Sequence, residues 1–153
     1  LEGIPRGDNR NWWTAQHEIT GFLVIVLLLA RMSWRITTGA PALPISMPRW
    51  QVHAAHIAHY GLYVLMLASP LVGVFLSSAR GRTVSIWGLF DLPATFARDR
   101  VWGGRLEAAH SLLSYLLLLV VVIHVASALY HHFLVRDDIL RRMLPGYRPA
   151  EPR

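Results

Sequence analysis

The sequence contains no cysteine and no lysine; all 15 of its basic residues are arginine. Without thiols it has no disulfides, iron–sulfur clusters, thiolate zinc sites or covalent c-type haem attachment. Charge is also scarce, at 16% of residues, whereas 54% are hydrophobic and the mean hydropathy is +0.37. That scarcity is uneven, because residues 20–30, 50–79 and 108–135 carry no Asp, Glu, Lys or Arg at all. A long soluble helix without charge has no face to show water, whereas about 20 apolar residues cross a hydrocarbon core of about 30 Å. The expectation is an all-α integral membrane helical bundle, one domain over residues 1–153, with spans over 14–37, 48–78 and 104–134. The arginines sit in loops and at helix ends, not in a stripe interleaved with aromatics. They read as membrane-flank charge, and nucleic acid is excluded as a partner.

The connections are short of regular pattern. Prolines at 41, 44 and 48 forbid a helix joining the first two spans. Pro70 and Gly73 inside the second span predict a kink over residues 69–73. The stretch ARGRTVSIWGLFDLPATFARDR reads as an aromatic-rich connection lying along the interface, and residues 135–153 as a polar, basic tail. The opening LEGIPRGDNRNWW reads as a polar loop ending in an interfacial Trp pair, so the expectation is a chain that has lost an upstream segment. Arg31, Arg35, Arg49, Arg136, Arg141, Arg142, Arg148 and Arg153 fall on the tail side; Arg6, Arg10, Arg80, Arg82, Arg98, Arg100 and Arg105 fall on the other. With its short, acid-poor first connection and basic tail, the tail side is the cytoplasmic one.

Eight histidines beside no lysine is an unusual balance, and their positions say more than their number. A strongly polar side chain in lipid is costly and faces a partner inside the bundle. His17 opens the first span, His53, His56 and His59 lie in the first turns of the second, and His110, His124, His131 and His132 lie on the third. His110 and His124 are 14 residues apart, which puts them on nearly one face and roughly 21 Å apart along the helix. One helix thus offers an imidazole near each membrane surface, the arrangement that b-type haem takes from facing helices. Gly21, Ser114 and Ala128 each follow a histidine by four, leaving room for a porphyrin edge or for ordinary helix packing. By depth His17 pairs with His110. His124 needs another partner, which is His56, His59, His53 or a helix outside this chain.

Arg31 and Arg35 share the face of His17 but lie toward the opposite surface, where they suit haem propionates or simply snorkel beside Trp34. Arg80 and Arg82 offer the same choice at the other end, between propionate partners and plain loop charge. His131, two turns beyond His124, suits protonation of a quinone or a superoxide-derived species, or sits in headgroup water.

These residues resemble the bacterial cytochrome b561 family, which includes superoxide oxidase and is related to hydrogenase b-type cytochrome subunits. The resemblance rests on QHEITGFLVIVLLLARMSWR, on MPRWQVHAAHIAHYGLYVLMLASPLVGVFLSSARGRTVSIWGLFDLP and on EAAHSLLSYLLLLVVVIHVASALYHHFLVRDDILRRMLPG, which cover nearly everything between Gln16 and Gly146. It implies a four-helix bundle in a bacterial inner membrane that holds two b haems and exchanges electrons between quinone and a periplasmic partner or superoxide. It implies His17 and His110 as ligands of the periplasmic haem and His124 as one ligand of the cytoplasmic haem. The family's fourth ligand lies on a first helix, usually in a His–Trp pair, and no such helix precedes Leu1. The expectation is therefore one complete site and one half-site, in three of the family's four helices. Superoxide oxidation coupled to quinone reduction would make the chain an oxidoreductase.

Two readings from other classes stand beside this one. HAAHIAH places His53, His56 and His59 at i, i+3 and i+6, a face plausible for zinc or copper in a metal-binding or metal-transport subunit. No thiolate or intramembrane carboxylate is expected to accompany it. The plainest reading is a structural subunit with packed histidines.

Overall fold

The computed structural model describes residues 8–39 and 47–136, with side chains from residue 11. Three helices of 31 residues each dominate it: α1 (Asp8–Thr38), α2 (Arg49–Ala79) and α3 (Arg100–Tyr130). The helical stretches Asn11–Thr38, Arg49–Ala79 and Arg100–Val135 are long and apolar enough to cross a membrane. α1 starts earlier than residue 14, and α3 earlier than residue 104. The second difference has a local cause. Asp99 caps α3, its carboxylate accepting from the Val101 and Trp102 backbone N–H groups at 2.8 and 3.0 Å. Past Tyr130 the chain makes one π-helical turn, His131–Val135, and leaves it at Arg136 in the left-handed region.

Burial runs opposite to that of a soluble bundle. Leu112, Leu118, Val122 and Leu129 on α3 are all exposed, as lipid-facing side chains must be, whereas Ser69, Ser77 and Ser78 are buried. Without a hydrophobic drive between helices, membrane helices associate through close backbone approach at small residues and through polar contacts. Gly21 of α1 faces Pro70 of α2, where an added Cβ would sit 3.6 Å from the proline Cβ. The Ser69 and Ser114 hydroxyls meet at 3.2 Å between α2 and α3, and Gly103 lies against Ala79. Gly21 and Ser114 are thus helix-packing residues. α2 packs on both neighbours, whereas α1 and α3 scarcely approach each other.

The connection from α2 to α3 is more ordered than a strip along the interface. It forms a hairpin of β1 (Val84–Ile86) and β2 (Phe90–Leu92), antiparallel, with Ile86 opposite Phe90. Trp87 and Gly88 both have positive φ, 51° and 69°, and the Leu89 N–H donates to the Ile86 carbonyl at 2.9 Å, a type I′ turn. Val84 and Ile86 are buried, and the Phe90 ring meets Phe22 of α1 edge-on at 5.8 Å. The hairpin therefore marks one end of the bundle, the hairpin end; the π turn marks the other, the tail end.

Candidate functional site

At the hairpin end, His17 of α1 and His110 of α3 bring their rings together at 5.8 Å between centroids and nearly perpendicular, 87°. Two imidazoles that share a metal through bonds of about 2 Å have centroids roughly 6 Å apart. The His110 Nδ1 lies 3.0 Å from the Ser69 carbonyl oxygen of α2. A carbonyl only accepts, so Nδ1 carries the proton and Nε2 keeps its lone pair, the tautomer that a metal ligand needs. The ring lies on Gly73, where a Cβ would stand only 3.2 Å from the His110 Cε1. Gly73 is therefore the gap in α2 through which His110 reaches toward α1. These two residues are a donor set that would fit a haem iron: imidazoles from separated helices, with one ring fixed by a hydrogen bond.

At the tail end, the His59 and His124 rings meet at 5.2 Å and 66°. Ser69 opposite Ser114, Gly73 opposite His110 and His59 opposite His124 share one antiparallel register. His59 thus stands where α2 has glycine at the other level. It is half-buried, whereas His53 and His56 are exposed, so His59 is the imidazole that the fold brings to His124. The two rings border a cavity of about 260 Å³, lined also by Leu28 and Arg31 of α1 and by Leu62, Tyr63 and Met66 of α2. The Arg35 guanidinium donates to the Tyr63 hydroxyl at 3.1 Å, and its Cζ lies 5.8 Å from the ring centroid. Neither Arg31 nor Arg35 has a carboxylate partner among the described residues. His131 begins the π turn, its ring 5.9 Å from Tyr130. Next to it, the His132 Nδ1 is buried without a hydrogen-bond partner among the described residues. π turns recur at functional sites.

Arg80 and Arg82 prove to be engaged already. Arg80 pairs with Glu107 at 2.6 Å, and Arg82 lies 3.6 Å from Glu18. Glu18 is a carboxylate inside a candidate membrane-spanning stretch, one residue from His17. Among the described residues no three His, Asp or Glu side chains converge on a metal-sized site. The HAAHIAH stretch therefore gains no support as a zinc or copper centre. Ser69, Gly73, Tyr63 and Glu18 were not among the residues picked out for the site. Only Gly73 left a signal, as one of the two residues behind the expected kink.

Across residues 2–146 the chain matches the family model described as prokaryotic cytochrome b561. The chain belongs to the prokaryotic cytochrome b561 family. Among curated b561 relatives, it is 36% identical over 129 residues to cytochrome b561 homolog 2 of Escherichia coli K12, covering 84% of this chain and 68% of that protein. To the probable superoxide oxidase CybB of Yersinia pestis it is 27% identical over 148 residues, 97% of this chain and 84% of the other. A third relative, cytochrome b562 of Cereibacter sphaeroides, is 28% identical over 130 residues, 84% and 65% of the two chains. Membership of the b561 family makes this a bacterial multi-pass membrane protein and a b-type cytochrome of electron transfer.

Proposed function

We propose that this b561 cytochrome carries electrons between quinone at the tail end and a donor or acceptor at the hairpin end of a bacterial inner membrane. The tail end faces the cytoplasm and the hairpin end the periplasm. The observation that carries the reading is the His17–His110 pair, with the His110 tautomer fixed by Ser69 so that its Nε2 is free. A bound haem supplies a one-electron carrier at a fixed place.

His17 and His110 would hold one haem at the hairpin end, and His124 supplies one ligand at the tail end. Arg31 borders the tail-end cavity and Arg35 is held beside it by Tyr63. Two guanidiniums without carboxylate partners among the described residues suit the propionates of a haem there, through charge-assisted bonds. His59 lines the same space, and His131, at the start of the π turn, would serve a quinone there.

Superoxide is the most concrete donor: two superoxide anions give one electron each and leave as O2, and one quinone takes both electrons with two protons. Arg98 and Arg100 border a cavity of about 290 Å³ beside the Arg80–Glu107 pair at the hairpin end. With Glu107 engaged by Arg80 and Asp99 by the helix cap, positive charge there draws a small anion toward the His17–His110 level. A reduced-minus-oxidised optical spectrum of the purified protein tests the reading. Bands of bis-histidine haem are expected, lost in part in His110→Ala and, separately, in His124→Ala. A colourless protein, or haem content indifferent to both changes, would sink it.

A further inference from the structure

Glu18 is the one carboxylate within the described membrane-spanning part of α1, and the fold has built a holder for it. At 3.6 residues per turn it points about 100° away from His17, toward the end of α2 rather than toward α3. Its Oε1 accepts from the Ser77 Oγ at 3.1 Å and lies 3.6 Å from the Arg82 Nη2, which itself donates to Ser77 Oγ at 3.4 Å. Ser77 is buried, and the Glu18 side chain is only 16% exposed. Arg82 is returned over the helix end by a tight turn. Gly81 has φ +72° and donates to the Ser78 carbonyl, and the Arg82 N–H donates to the Ser77 carbonyl.

The same turn also sends Arg80 to Glu107, one helical turn before His110, but that pair is 40% and 49% exposed. One four-residue turn therefore joins α1 to α3 by charge, at the level where these helices scarcely touch otherwise. The two pairs differ in kind. Water screens both members of the Arg80–Glu107 pair, whereas in the second pair the Glu18 carboxylate is shielded and acts on its surroundings through a lower effective dielectric, while Arg82 reaches water at 46% exposed.

We infer that Glu18, held by Ser77 and Arg82, is a positioning residue that sets the reduction potential of the centre between His17 and His110. The inference rests on the haem reading of that pair. A fixed negative charge beside the centre favours its oxidised form, and the arginine offsets it. A unit charge roughly 10 Å away at an effective dielectric constant near 20 shifts a one-electron equilibrium about tenfold or somewhat more; tenfold is about 60 mV.

The test is a spectroelectrochemical titration of the solubilised holoprotein, in which the hairpin-end haem is identified as the one lost in His110→Ala. Glu18→Gln keeps an acceptor for Ser77 and removes the charge, so the potential of that haem rises. Arg82→Gln lowers it, and the double variant returns near the wild-type value. Glu107→Gln, in water, shifts it less than Glu18→Gln. Should Glu18→Gln fail to fold, the Arg82→Gln shift decides alone. Unchanged potentials in the single variants overturn the inference, as do shifts of one sign that add in the double variant, which mark a packing defect. Absence of haem from the wild type would instead overturn the reading beneath it.

Discussion

Replacing Gly73 separates the requirements of the fold from those of the site. In a helix interior, Gly→Ala gains about 0.8–1.0 kcal/mol of intrinsic propensity. Against that, the new Cβ stands 3.2 Å from the His110 Cε1, inside the roughly 3.5–4.0 Å optimum for carbon pairs. The ring must retreat by a few tenths of an ångström. It then weakens its 3.0 Å hydrogen bond to Ser69, a loss of about 0.5–1.5 kcal/mol. The two effects nearly cancel in stability, so Gly73→Ala folds with unchanged helicity. They do not cancel at the His17–His110 pair, where misplacement costing about 1.4 kcal/mol is a tenfold loss of haem affinity. Gly73→Leu adds overpacking of about 1–3 kcal/mol and should empty that site while leaving the haem that depends on His124. The assay is the haem-to-protein ratio from reduced-minus-oxidised spectra, with circular dichroism as the check on folding. A Gly73→Leu protein with full haem content and an unaltered hairpin-end spectrum would refute the argument, and loss of both haems together with helicity would show a fold defect instead.

Two further outcomes are expected. Because α2 and α3 pack closely where His59 faces His124, and the cavity lies on the α1 side, His59→Ala should retain the tail-end haem with a shifted spectrum, whereas His124→Ala loses it; equal loss in both variants would make His59 a ligand. Trp87 holds φ 51° with 54% of its surface exposed, a conformation costing a bulky residue about 1–2 kcal/mol that Asn tolerates. Trp87→Asn should therefore slow hydrogen exchange of the Leu89 amide in detergent, and faster exchange would contradict the turn assignment.

Much of the fold was legible because a membrane leaves a blunt record. Charge-free runs of 30 and 28 residues, over 50–79 and 108–135, have few soluble explanations, and with the shorter run over 20–30 they mark three helices. Their ends were less legible, because an end is set by local chemistry that hydropathy ignores. Asp99 caps α3 with two backbone bonds, yet the apolar pattern begins only later. The hairpin was hidden for a similar reason. VSI and FDL are too short for alternation to stand out, and Trp at the first turn position disguises a type I′ turn that Asn or Gly would have announced.

At the site, depth alone was enough to bring His17 and His110 to one level, since both lie near the same end of their spans. Depth could not choose between His56 and His59. That choice came from the register of α2 against α3, which Ser69–Ser114 and Gly73–His110 fix by contact. The groups that tune the site were least legible, and for a physical reason. The Ser69 carbonyl is a backbone group present in every residue, and it matters only because His110, 41 positions away, is aimed at it. Arg80 and Arg82 read either as propionate partners or as plain loop charge, and the turn at Gly81 directs one to each histidine-bearing helix, where Arg80 meets Glu107 and Arg82 lies near Glu18. At the other end, on α1, Arg31 borders the cavity beside His124 and Tyr63 holds Arg35. The two levels therefore differ in shape: the His17–His110 pair lies over a glycine, and the His59–His124 pair borders an open cavity.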